Sequence, residues 1–537
     1  MRKYTLLFFV VAIFNSCAIR VNPTGGDKDV VPPKVLKTVP ENFSINVKTN
    51  DIVLTFDEYV QLVDINTQLV VSPLLKYTPE TKIKKKSLEI HFLDTLEPNT
   101  TYTLNFGNSI ADNNEANALE NYQFVFSTGN VVDSLKISGR IENGFDKKKE
   151  KGILALLYKD EDDSLPFNKR PMYFAKTNDA GEFTISNIAP GGYKIISLAD
   201  KDGNYMYTNG EESIGYLDER VTAGSENVFL RLFKEPAPLH LTKSMSVSPG
   251  KVLLVFSAPA DTVKLNFLTD LKKMDVYSQE FSVQKDSLTI LYRNADLDSL
   301  SFAYFNGKKM DTVDVRLFKK SNKTASRGNF ELVLSAADRN SSHHFYLPYS
   351  IKSNHPLQTI DPKGIILKRD SIEEKDFMVV FSDSLKTSIE VVAKWSDKGE
   401  YELFIPPGSV EDIYGLKNDT LKFKWAVKPE SFYGTLALKL ISVKGNTIVQ
   451  LLDNNDILFR ETFVSSDTTI QYSYLDPMLY RIKIIHDENG NKKWDTGSLL
   501  RHIQPEIVEY NPEMITVRAN WDVDVKWDLN YIKPITK

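Results

Sequence analysis

One cysteine in 537 residues leaves no pair for an internal disulfide, so stability has to come from hydrophobic cores rather than covalent staples. Histidine is also scarce, at seven residues, and none opens an H-E-x-x-H run. There is no G-x-S-x-G elbow, no G-x-x-x-x-G-K-[ST] loop, and no second thiol for zinc or nucleophilic chemistry. A basic excess is missing: 66 Lys and Arg stand against 71 Asp and Glu, a formal charge of -5 spread along the chain. That balance offers no stripe to neutralise phosphates and argues against nucleic acid. The runs Lys84-Lys85-Lys86 and Lys147-Lys148-Lys149 flank turn-forming residues and read as solvated hairpin ends. Long apolar runs are lacking too; the longest, Leu6 to Phe14, is too short to cross a bilayer. Helical periodicity is rare.

What is present begins at the N-terminus. Arg2 and Lys3 precede the apolar run, and Ser16 precedes Cys17, the pattern of a lipoprotein signal (1–16) with acylation at Cys17. An ordinary secretory signal with an incidental cysteine is the alternative. Residues 17–32 carry Pro23, Gly25, Gly26 and Pro32 and few apolar residues, as a tether does. Two or three acyl chains would hold the protein on a membrane, at about 0.8 kcal/mol per buried methylene.

Beyond the tether the pattern is period-two alternation rich in Val, Ile, Thr, Tyr and Phe, punctuated by Asn, Asp, Gly and Pro. The expected fold class is all-β, in tandem sandwiches. Strands are predicted at Asp51 to Phe56, Ser87 to Phe92, Thr101 to Phe106 and Tyr122 to Ser127. With Pro32-Pro33, Pro40, Leu96-Glu97-Pro98-Asn99, Ile110-Ala111-Asp112 and the closing Phe124 to Gly129, this stretch (33–130) resembles the bacterial Ig-like domain of surface-layer and envelope proteins. Residues 131–235 differ. Asn178-Asp179-Ala180-Gly181-Glu182-Phe183 and Pro190-Gly191-Gly192-Tyr193 mark turns between strands, resembling the transthyretin-like or carboxypeptidase-regulatory-like module, which implies a non-catalytic unit.

An internal repeat organises the rest. At a constant offset Pro190, Tyr193, Ile195, Asp200, Gly203, Asn204 and Gly210 correspond to Pro477, Tyr480, Ile482, Asp487, Gly490, Asn491 and Gly497. Tyr401 to Ile405, Ser409 to Asp412 and Leu421 to Trp425 echo the first Ig-like unit. The chain therefore reads as a duplicated arrangement: Ig-like at 331–429, transthyretin-like at 430–537, and a further Ig-like unit at 236–330 built on Lys251 to Phe256 and Ser287 to Tyr292.

The repeated acidic loop is the candidate for chemistry. Asp200, Asp202, Asn204 and Glu211 place oxygens at positions one, three, five and twelve of an EF-hand-like count, so calcium is the candidate metal. Tyr205 replaces the glycine of position six, and the second copy puts Ser498 at position twelve. An Asx-rich turn is the competing reading. No catalytic residue is assigned and no other cofactor is expected. Adjacent His343 and His344 point to opposite faces of a strand and would not share a metal. Tyr205, Tyr207, Tyr216 and Trp494 could stack on sugars or simply fill cores.

The whole chain resembles the Ig-like-domain lipoproteins of Bacteroidota, of SbsA type, on Cys17-Ala18, Pro23-Thr24-Gly25-Gly26, Trp494-Asp495-Thr496-Gly497 and Gln504-Pro505-Glu506. The resemblance implies a non-enzymatic protein anchored in the outer membrane. Ala18-Ile19-Arg20 lacks the acidic residues that direct such proteins to the surface, which favours the periplasmic face. The expected role is a rod of sandwiches serving as a structural or protein-interaction scaffold; a surface glycan-binding lipoprotein for nutrient capture is the alternative. Membrane, other envelope proteins and glycans are the expected partners.

Overall fold

The computed structural model describes residues 29–530 except 238, 261–262, 271–273, 283–284, 294–296, 307–308, 319–331, 338–341 and 397–398. The signal, Cys17 and most of the tether lie outside the described residues. The fold is all-β: five successive pairs of facing sheets, with short helices such as Ile65–Gln68 and Leu165–Asn168 as connectors.

The first pair follows from strict alternation. In Asp51–Phe56 the buried residues are Ile52, Leu54 and Phe56, and in Ser87–His91 they are Leu88 and Ile90. These strands pair with each other, flanked by Val35–Val39 and Glu80–Lys84. Val70–Ser72, Thr101–Asn105 and Gln123–Ser127 form the facing sheet, whose Tyr102, Leu104, Phe124 and Phe126 close one core. The same hydrogen-bonding order recurs twice. It is built from Leu241–Ser248, Lys251–Phe256, Ser287–Tyr292 and Val276–Phe281 in the third pair, and from Leu334–Ala336, Tyr349–Ser353, Ser388–Ala393 and Phe377–Phe381 in the fourth. A short ladder, Val60–Leu62 with Ile110–Asp112, accompanies the first sandwich and reappears in the fourth as Leu357–Ile360 with Val410–Asp412.

The second and fifth pairs share another topology, strand for strand. In the second, Leu135–Asn143 lies between Glu182–Ile188 (antiparallel) and Val228–Leu232 (parallel), facing a sheet ordered Tyr173–Lys176, Leu154–Tyr158, Gly192–Ala199, Ser213–Tyr216. In the fifth, Gly434–Ile441 lies between Thr468–Leu475 and the parallel Asp522–Asp528, facing Leu458–Val464, Thr447–Asp453, Leu479–His486 and Val508–Tyr510. The internal repeat read from the sequence is thus a repeat of topology.

Contacts join three pairs of sandwiches that follow one another in the chain. Lys176 Nζ donates to the Thr67 carbonyl (3.0 Å) between first and second, Tyr414 Oη to the Gly250 carbonyl (3.1 Å) between third and fourth, and Tyr346 stacks on Tyr474 at 4.8 Å between fourth and fifth. The expected rod is not what forms, because the fifth sandwich also docks on the second. Thr496 Oγ1 donates to the Lys234 carbonyl (2.8 Å), and Gln504 Nε2 to the Tyr216 carbonyl (3.1 Å). With the chain itself joining second to third, the second to fifth sandwiches thus make a closed circuit.

Candidate functional site

The first acidic loop leaves the strand Gly192–Ala199 and returns at Ser213–Tyr216. Asp200 accepts the Gly203 and Tyr205 N–H groups (2.9 and 3.0 Å), and Asp202 accepts the N–H of Asn204 (3.0 Å) and its Nδ2 (2.8 Å). Gly203 takes φ 76° as a left-handed turn requires, and Tyr205 follows at φ 64°. Asn204 Oδ1 accepts from the Met206 N–H. The buried acid is Glu212, not Glu211. Glu212 Oε1 accepts the Lys201 N–H (2.7 Å) and Oε2 the Thr208 N–H (2.9 Å), while Glu211 is engaged through its backbone, the carbonyl accepting from Lys201 Nζ and the N–H donating to the Thr208 carbonyl.

Asp200, Asp202 and Glu212 therefore bring carboxylate oxygens within 4.8 Å of one another, a hard-oxygen set of the kind calcium takes. Of the four expected ligands, Asp200 and Asp202 join this cluster, Asn204 turns its oxygen to a backbone N–H, and Glu211 lies outside it. Each of the three acids already accepts backbone N–H groups, the bonding of an Asx-rich turn.

The second loop repeats this frame. Asp487 accepts the Asn491 and Lys492 N–H groups (3.1 and 2.9 Å), and Asn489 and Asn491 both donate side-chain N–H to Asp495 Oδ2. Glu506 takes the place of Glu212: its Oε1 accepts the Glu488 N–H (2.9 Å) and its Oε2 the Asp495 N–H (3.0 Å). Burial pushes the Glu506 carboxyl above its ordinary value, opposed by those N–H groups and reinforced by Asp495 and Asp487. Sequence counting missed this pair of glutamates. It looked twelve positions on, whereas strand pairing delivers the acid; the signal available was Glu506 within Gln504-Pro505-Glu506.

The copies differ in length. Four positions separate Thr208 from Glu212, and eleven separate Asp495 from Glu506. The extra residues in the second copy are the segment that reaches across to the second sandwich. Leu499 is fully buried there beside Tyr216 and Phe233, and its N–H donates to Glu235 Oε1 (2.9 Å). Glu235 Oε2 accepts from Tyr207 Oη (2.8 Å). Gly497 permits the approach, since a Cβ would sit 2.7 Å from both the Ile503 carbonyl oxygen and Phe233 Cζ. His502 bridges Asp163 (Nε2, 2.7 Å) and Asp218 (Nδ1, 2.9 Å), and those bonds, to Asp218 first, raise its pKa. Asp163 is also paired with Lys194.

The second sandwich reaches back. Phe145 packs on Trp494 (centroids 4.9 Å) and covers Lys483, whose Nζ lies 3.1 Å from the ring centroid. Lys483 is 2% exposed, and burial lowers its amine to about 8 against the pull of Asp146 and Asp456. Of the aromatics considered as sugar platforms, Tyr207 and Tyr216 are buried, Tyr205 meets Phe174 edge-on, and the indole of Trp494 donates to the Glu506 carbonyl (3.0 Å). His343 and His344 diverge, to the Leu347 carbonyl and to Tyr433 Oη.

Among the described residues no helix is long and apolar enough to cross a membrane. No curated protein matches this chain. Solved structures with similar chains include the major pilin subunit BcpA of Bacillus cereus (12% identity, 74% of this chain and 99% of that one, TM-score 0.14). They also include the S-layer protein rSbsC (12%, 85% and 66%, 0.15) and the Bacteroides ovatus SGBP-B in complex with a mixed-linkage heptasaccharide (11%, 72% and 96%, 0.19). At these scores the likeness says nothing of ligand or domain arrangement. Residues 29–128 match the family described as bacterial Ig-like domain, so the first sandwich carries that family's pattern.

Proposed function

We propose that this is a non-enzymatic scaffold of the cell envelope, held to the outer membrane through a lipid on Cys17, with its sandwiches on the periplasmic side. One observation supports it above others: the residues best suited to chemistry are consumed by architecture. Asp200, Glu212, Asp487 and Glu506 tie down loops, Glu235 holds Leu499, and Tyr207, Tyr216 and Trp494 are packed. Groups bonded in this way are not free to meet a substrate or a sugar face. A calcium ion on Asp200, Asp202 and Glu212 would rigidify the first loop without adding a reaction.

The test is the mass and detergent-phase partition of the mature protein beside Cys17→Ala. A lipid-sized mass increment and detergent partition, both lost in the variant, are expected; an unmodified, water-soluble wild type overturns the anchor. Titration with mixed plant and bacterial oligosaccharides is expected to show no binding, and saturable binding would replace the scaffold with glycan capture.

A further inference from the structure

The inserted segment of the fifth sandwich crosses to the second and presents one ionisable ring to two carboxylates. We propose that residues 496–505 form a proton-operated latch, closed by His502 between Asp163 and Asp218 and loosened when the imidazole is neutral.

The geometry carries this. Both ring nitrogens lie within hydrogen-bond distance of a carboxylate oxygen, at 2.7 and 2.9 Å. A neutral imidazole has one N–H and can donate to only one of them; the imidazolium donates to both. Neutralisation therefore removes one bond and a charge, and leaves a carboxylate facing a lone pair. The two acids come from separate parts of the second sandwich, Asp163 from the segment before the helix Leu165–Asn168 and Asp218 from the turn after Ser213–Tyr216, so the protonated ring clasps both. The other charged groups close by are Lys194, which pairs with Asp163, Asp162 beside it, Glu219 beside Asp218, and Arg501 on the latch itself. Lys194 offsets part of the charge of Asp163, which leaves Asp218 the less compensated partner. The edge of Tyr216 meets the ring at 6.2 Å.

Leu499 is the apolar end of the same segment, three residues away, with its N–H on the buried Glu235. Loosening at His502 frees the segment up to that anchor. The sign follows: a group whose folded pKa is raised gives its full contribution below its unfolded value and loses it as pH rises through the folded one. The latch is tight in mild acid and looser above neutrality. His502 is half exposed, so the effect is modest, on the order of threefold in the opening equilibrium.

Deuterium uptake of a peptide spanning 497–503 in the full chain, corrected for intrinsic exchange and followed from about pH 5.5 to about pH 8, reads the latch. Protection in the wild type is expected to fall about threefold over that range, while His502→Gln is expected to be weakly protected and flat, with the strand Thr447–Asp453 unchanged in both. A flat wild type, or a variant that keeps the wild-type pH profile, overturns the proposal. Independently of any variant, the imidazole of His502 is expected to titrate above about 6.5, the free histidine value, by nuclear magnetic resonance; an inflection at or below it overturns the proposal as well.

Discussion

The second and fifth sandwiches are built on one topology and bury it differently. Across the outer face of the second, one cross-strand row reads Phe174, Leu156, Ile196, Tyr216; the same row of the fifth reads Glu461, Gln450, Lys483, Tyr510. The first row is covered, by the first sandwich through Val70 and Leu74, by the helix carrying Leu165 and Phe167, and by Leu499. The second row is mostly polar, with Gln450 Nε2 donating to Glu461 (2.7 Å), and Phe145 covers its lysine beside Tyr510. The next row is apolar in both copies, Leu154, Leu198 and Ile214 matching Ile448, Ile485 and Val508. That row lies on the same outer face, so the copies differ there in one row; the opposite face, which packs on the partner sheet, is apolar in both, Leu157 and Ile195 matching Leu451 and Ile482.

The docking of the two copies is where this comparison breaks most easily. Leu499→Ala deletes a fully buried side chain and is expected to cost about 3 kcal/mol, read as a lower urea midpoint and as cleavage of the 496–505 segment by a protease the wild type resists. Glu235→Leu removes the acceptor of Tyr207 Oη and the Leu499 N–H, and is expected to cost about 2 kcal/mol by the same denaturation. Lys483→Ile gives the fifth sandwich the residue of the second. It is expected to raise stability at neutral pH by about 1 kcal/mol. Because the lysine titrates at about 8 when folded and near 10.4 when unfolded, the unfolded chain binds more protons between these values. Wild-type stability should therefore rise with pH across that window, a rise the isoleucine variant lacks. Phe145→Ala is the smallest change, about 0.5 to 1 kcal/mol, and is expected to move the amine back toward the ordinary lysine value, measurable by its acylation rate against pH.

Much of the fold was legible because alternation is a direct record of one-sided burial. Asp51–Phe56, Lys251–Phe256 and Ser287–Tyr292 fall where the pattern places them. The strand Leu154–Tyr158 is apolar at every position and buried at every position, which marks a sheet covered on both sides. Its cover was not legible, since Leu499 lies more than 300 residues away and the repeat loses its constant offset just after Gly497. The acidic loop was found, but its buried acid was misplaced by one residue. The count followed the spacing of a helix-flanked calcium loop, while the pairing of Ala199 with Ser213 is what sets Glu212 under the turn.

The closed circuit changes how the molecule would bear load. In a simple string of beads, tension between the two ends runs through every bead in turn. Here the contact between second and fifth sandwiches is a shunt: a pull between residue 29 and residue 530 passes through the first, second and fifth sandwiches, and the third and fourth hang slack. Only after Leu499 leaves its seat and Thr496 and Gln504 let go does the stored length of those two sandwiches enter the line, so the protein extends in a step rather than as a spring.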